Sequence, residues 1–64
     1  MHKFQQKLTE HMLKNRLSVE QFAKRNGLNR KMLYAYGNGD AMPGVLTAIR
    51  LARALNTTVE DIWG

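Results

Sequence analysis

The 64-residue chain contains no cysteine. Disulfides are excluded, and so is a zinc site built on thiolates. No apolar run approaches the roughly 20 residues that a membrane-spanning helix needs. The opening Met1-His2-Lys3-Phe4 leads into a mixed polar stretch rather than an apolar one, which predicts no secretory leader and a soluble, cytoplasmic protein. No run alternates apolar and polar residues over enough positions for a sheet. No internal repeat and no low-complexity tract occurs. Catalytic material is equally scarce. No Ser/His/Asp or Cys/His set is available, and the short Gly-containing stretches lack the spacing of a phosphate loop. The closest carboxylates, Glu60 and Asp61, are explained by helix capping. His11 has only His2 as a possible co-ligand, and nine residues along one helix do not bring both to one ion. The residues therefore argue against an enzyme, a metal site, a cofactor and a small-molecule ligand.

Acidic residues are few as well. Five Asp plus Glu stand against ten Lys plus Arg, for a formal net charge of +5. The excess is uneven. Residues 1–16 carry +3 and residues 17–37 carry +3, whereas residues 38–64 carry −1. The first half is thus the attractive side for a polyanion, and the bland alternative is a solvated cationic surface. A membrane surface fits less well, because an interfacial helix gathers its cations on one face and these are spread over several segments. With 44% hydrophobic residues the chain is globular in composition, and at this length it is at most one domain, spanning 1–64. Such a core rarely yields more than about 3–5 kcal/mol of net stability.

What is present reads as short helices. Phe4, Leu8 and Met12 fall at i, i+4 and i+8 and predict a first helix over about residues 3–15, with His11 and Leu13 flanking the stripe. Ser18-Val19-Glu20-Gln21 fits a capping box opening a second helix. That helix puts Phe22 and Ala23 inward and stops at Asn26-Gly27, where glycine supplies a left-handed turn. Asn29 suits the N-cap of a third helix over 30–37, with Gly37-Asn38-Gly39-Asp40 as the following loop. Pro43 suits the first position of a fourth helix, along which Val45, Ala48, Ile49, Ala52 and Leu55 recur up to Asn56. Thr58 caps a last short turn over 59–63. The expected fold is all-α, with five short helices.

The informative unit is helix, tight turn, helix, over about residues 18–37. Ala23 must be small where the next helix crosses, Gly27 must take positive φ, and Leu28, Leu33 and Tyr36 bury the underside of the third helix. The opposite face then carries Asn29, Arg30, Lys31, Tyr34 and Ala35, in a form that can enter a major groove about 12 Å wide. Arg30 and Lys31 oppose the helix dipole there, a placement that helix stability alone does not favour.

Residues 17–63 resemble the lambda-repressor/Cro-type helix-turn-helix family of bacterial and phage regulators. The resemblance rests on Leu17-Ser18-Val19-Glu20-Gln21-Phe22-Ala23, on Asn26-Gly27-Leu28-Asn29-Arg30-Lys31-Met32-Leu33, and on Pro43 through Leu51-Ala52-Arg53-Ala54-Leu55 to Thr58-Val59-Glu60-Asp61-Ile62-Trp63. It implies a five-helix domain that binds double-stranded DNA operators, usually as a homodimer, and regulates transcription as a repressor does. Base reading then falls to Asn29, Arg30, Lys31, Tyr34 and Ala35. Backbone contact falls to Ser18, Val19, Lys24, Arg25 and Asn38. Leu46 replaces a usual polar residue on the outer side of helix four, and with Val59, Ile62 and Trp63 it marks a dimer contact. Trp63 also matches a core position covering the base of helix four.

The chain departs from the family at several positions. Val19 stands where Gln often contacts phosphate and supports a recognition residue. Met12 and Gly37 stand where a basic and an acidic residue often pair, which predicts apolar packing in their place. Asp40 sits in a loop that is usually basic. His11 replaces an aliphatic residue and is expected half-buried with a hydrogen-bond partner. Control is expected from concentration, operator arrangement or a partner protein. The rival reading is a protein-interaction module of the same fold, antitoxin-like or adaptor-like, without an operator of its own.

Overall fold

The computed structural model describes residues 3–64; Met1 and His2, and with them the His2 expectation, lie outside the described residues. Five helices follow one another: α1 (Lys3–Asn15), α2 (Val19–Arg25), α3 (Arg30–Asn38), α4 (Val45–Ala54) and α5 (Val59–Trp63). Short polar side chains start three of them. Ser18 Oγ accepts from the Gln21 N–H at 3.1 Å, and Gln21 Oε1 accepts from the Ser18 N–H at 2.8 Å, which completes the capping box. Asn29 Oδ1 accepts from the Met32 N–H at 2.8 Å to open α3, and Thr58 Oγ1 accepts from the Asp61 N–H at 3.1 Å to open α5.

Left-handed residues end the first four helices. After α2, Gly27 has φ +68°, the Leu28 N–H donates to the Ala23 carbonyl at 2.8 Å, and the Gly27 N–H donates to the Lys24 carbonyl at 3.3 Å. This Schellman motif delivers Leu28 back onto the core. The same pair of bonds closes α1 around Arg16 (φ +53°) and α4 around Asn56 (φ +57°). Glycine was expected at such a turn; arginine was not, since a Cβ crowds the left-handed region.

Two boundaries differ from expectation. α3 does not stop at Gly37: that residue is buried inside the helix, Asn38 is its last residue, and Gly39 (φ +84°) makes the left-handed turn. α4 does not begin at Pro43 but at Val45, with Gly44 as its N-cap. The Gly44 carbonyl accepts the first helical bond, from the Ala48 N–H at 2.8 Å. Pro43 therefore sits just before the cap, where its missing N–H leaves no helical bond unmade.

One buried cluster joins all five helices: Phe4 and Leu8, Phe22 and Ala23, Leu33 and Tyr36, Leu51, Ala52 and Leu55, and Ile62. α1 lies against α3 and α5, α2 against α3, and α4 against α5. Phe4 is the hub. Its ring stacks on Trp63 at 5.5 Å and meets Tyr36 edge-on at 6.2 Å. Trp63 thus covers α1 rather than only the base of α4. The expected inward stripe of α4 is narrower than its apolar content: Ala48, Leu51, Ala52 and Leu55 are buried, but Val45 is 76% exposed and Ile49 is also exposed.

Candidate nucleic-acid interface

The geometry of α3 follows from its anchors. At about 100° per residue, Leu33, Tyr36 and Gly37 fall on one side. All three are buried. Lys31, Tyr34 and Asn38 fall about 100–160° round from Leu33, whereas Arg30, in the first turn, falls about 20° from Gly37 on the flank of the buried side; all four are exposed. Ala35 sits at the edge of the exposed face and is half-buried, so it can offer only its methyl. Gly37 packs beside α1, where an added side chain would meet the end of the flexible Gln5 side chain and push it aside. The apolar substitute expected for the Met12/Gly37 pair is therefore only half present: Met12 packs on the core, whereas a polar side chain covers Gly37.

Each expected site residue has a definite place. Asn29 uses its Oδ1 as the cap of α3, leaving only its amide N–H₂ for another partner. Arg30, the first residue of α3, donates from Nη1 to Glu20 Oε1 at 3.2 Å, the one ion pair among the described residues. Lys31 is exposed, and the Tyr34 ring is half-exposed. Asn38 belongs to the helix rather than to the loop, and its Oδ1 accepts from the Asp40 N–H at 3.0 Å. The capping box occupies the N–H groups of Ser18 and Gln21, so only those of Val19 and Glu20 remain open at the start of α2. The Val19 side chain packs on the core. Lys24 and Arg25 are exposed in the last turn of α2, where the helix dipole favours cations. Below them the Asn26 side chain donates to the Phe22 carbonyl at 2.8 Å and braces the turn. His11 is half-buried: its ring meets Phe22 edge-on at 5.5 Å, and Asn15 Nδ2 lies 3.3 Å from its Nδ1.

A second exposed region is apolar. Met42, Pro43, Val45, Ile49, Val59 and Trp63 line a groove of about 350 Å³ between the start of α4 and α5. Leu46, 80% exposed, stands beside it, and the Trp63 indole N–H has no partner. Ile62, expected in a contact surface with these residues, is instead 4% exposed and packs in the core, because it faces the same side of α5 as the cluster. Met42, Val45 and Ile49 were missed as surface residues. The available signal was the composition of α4, where only Thr47, Arg50 and Arg53 interrupt the apolar residues. That stripe is wider than one core-facing side requires.

A short helix and a tight turn that hold a second helix by its underside, with its cationic side free, define the helix-turn-helix class of DNA-binding modules. The helix-turn-helix family model matches residues 8–62, and the chain belongs to that family, of the lambda-repressor/Cro type. At the level of the family, this is a DNA-binding helix-turn-helix regulator. Comparison with curated proteins and with solved structures yields no match. Among the described residues no helix is long and apolar enough to cross a membrane.

Proposed function

We propose that the chain is a sequence-specific, repressor-like regulator of transcription that binds double-stranded DNA, with α3 in the major groove. The observation that carries this reading is the division of α3: Leu33, Tyr36 and Gly37 bury one side, Lys31, Tyr34 and Asn38 stand exposed away from it, and Arg30 is exposed at the start of the helix. Arg30 and Lys31 read base edges, with the Asn29 amide, the Tyr34 ring and the Ala35 methyl tuning the fit. Lys24, Arg25 and Asn38, with the Ser18 hydroxyl and the open Val19 N–H, hold the sugar-phosphate frame.

The working form in this reading is a homodimer in the cytoplasm, associated with the nucleoid when bound. Two copies meet through Leu46 and the groove edged by Val59 and Trp63, leaving both cationic sides free. Recognition helices then lie about 34 Å apart and read a near-palindrome. The apolar groove also favours a second reading, a module that binds another protein.

Selection of bound sequences from a random duplex pool at moderate salt tests the first reading. A two-fold motif with half-sites one helical turn apart is the expected result. Weak, sequence-blind retention would overturn it in favour of the protein-binding module. Salt separates the two independently, since log K for phosphate contacts falls by about 0.9 per contact per decade of salt, and an apolar contact lacks that dependence.

A further inference from the structure

We infer that Glu20 is a specificity-determining residue: its carboxylate holds the Arg30 guanidinium in the pose that reads a G·C base pair and withholds it from phosphate. The inference rests on the DNA-binding reading above. Glu20 lies in the first turn of α2, and Arg30 opens α3, ten residues later. The 3.2 Å contact is therefore tertiary, made because the turn at Gly27 sets the two helix starts side by side. The side chains are 74% and 58% exposed, and a pair so solvated adds little to fold stability. Its consequence lies in where Arg30 points.

Arg30 sits at the positive end of a helix dipole, which repels a cation. Without a partner, its long side chain is free to swing to the nearest phosphate. With Glu20 engaged through Nη1 alone, the remaining donors of the guanidinium fork stay free. Such a fork suits guanine O6 and N7. The remaining acceptor capacity of the Glu20 carboxylate suits the N4 amine of the paired cytosine. One base pair thus satisfies both members of the ion pair, whereas a phosphate offers the Glu20 carboxylate no donor and repels it. The arrangement also answers the substitution at Val19. The polar support that the family resemblance places at that position is provided by the next residue along α2.

The test is a binding matrix: parent, Glu20→Ala, Glu20→Gln, Arg30→Ala and Glu20→Ala/Arg30→Ala against the selected duplex, every single-base variant of it, and a random duplex, at several salt concentrations. Glu10→Gln removes the same charge from α1 and serves as the electrostatic control. Circular dichroism confirms that each variant is folded. Glu20→Ala is expected to lower the preference for G·C about three- to tenfold, at the base pair that Arg30→Ala also affects and at no other. It should also tighten binding to random duplex and steepen the salt dependence by about one phosphate contact. Glu20→Gln, which keeps an acceptor but loses the charge, should fall between parent and Glu20→Ala. In the Arg30→Ala background, Glu20→Ala should change preference only at that base pair, and less than it does in the parent. A uniform shift across all sequences, matching Glu10→Gln, would overturn the inference, as would losses at two different base pairs. If the parent itself shows no preference, the DNA reading fails and takes the inference with it, a result visible from the parent alone.

Discussion

The front of α2 and α3 and the outer side of α4 and α5 are both exposed helical surfaces, yet they have opposite chemistry. The front carries Lys24, Arg25, Arg30 and Lys31 around Tyr34, with Glu20 as counter-ion. The outer side carries Met42, Val45, Leu46 and Ile49, all exposed, around the half-buried Trp63. The contrast follows the charge division of the chain, +6 before residue 38 and −1 after it. A cationic surface attracts a polyanion at long range and loses that attraction in salt. An apolar surface acts only at contact and is indifferent to moderate salt. Formed by different residues, the two surfaces respond to different conditions.

Substitutions can break this comparison or sharpen it. The largest effect is expected where the two regions share a foundation. Leu33 is fully buried beneath α3. Leu33→Ala should cost about 2–5 kcal/mol, comparable with the whole stability of so small a domain. Thermal unfolding followed by circular dichroism should show a collapsed transition, with DNA binding and self-association lost together. A variant that melts normally would remove Leu33 from the foundation of both.

The next substitutions separate the regions. Arg30→Ala should cost about 1–3 kcal/mol of binding to the preferred sequence and relax the preference at one position. An equal loss on every sequence would make Arg30 a phosphate contact. Gly27→Val forces a β-branched residue to φ +68°, where a Cβ would touch nothing within 4 Å, so the cost is backbone strain alone. About 1–2 kcal/mol of stability should be lost, and an unchanged melting curve would contradict the role assigned to the turn. Leu46→Glu should weaken association by about 1–2 kcal/mol without shifting the melt. Sedimentation of the parent checks the premise, and a monomer at all concentrations would exclude self-association through that side. The smallest effect lies outside both surfaces. Arg16→Gly relieves a left-handed arginine and should raise stability by about 0.5 kcal/mol, read as a melting-point gain of about 2–4 °C. Reduced DNA affinity in that variant would bring Arg16 into the cationic front.

The local features were legible because their causes lie within a few residues. The Ser18/Gln21 box, the Asn29 and Thr58 caps and the Gly27 turn each satisfy backbone groups three to five positions away. The buried positions of α1 and α3 followed from helical spacing. Less legible were the features set by contact between distant segments. Gly37 looks like a helix breaker in isolation, but α1 passes close by with Gln5, and burial holds α3 together through Asn38. Val45 and Ile49 carry the right periodicity for a core, but α5 does not reach over them. The same logic placed Ile62 inside rather than on the contact surface.

The sequence by itself determined five helices, the starts of all but α4, the sharp turn between α2 and α3, and the cationic character of the first half. Hydrogen-bond capping, glycine's freedom at positive φ and net charge act locally and survive in any environment. Tertiary structure alone decided which apolar residues stayed outside, how far α3 extends, and that Glu20 stands beside Arg30. Those outcomes depend on which surfaces of the helices meet, and packing across ten to sixty residues of chain has no counterpart in the local pattern.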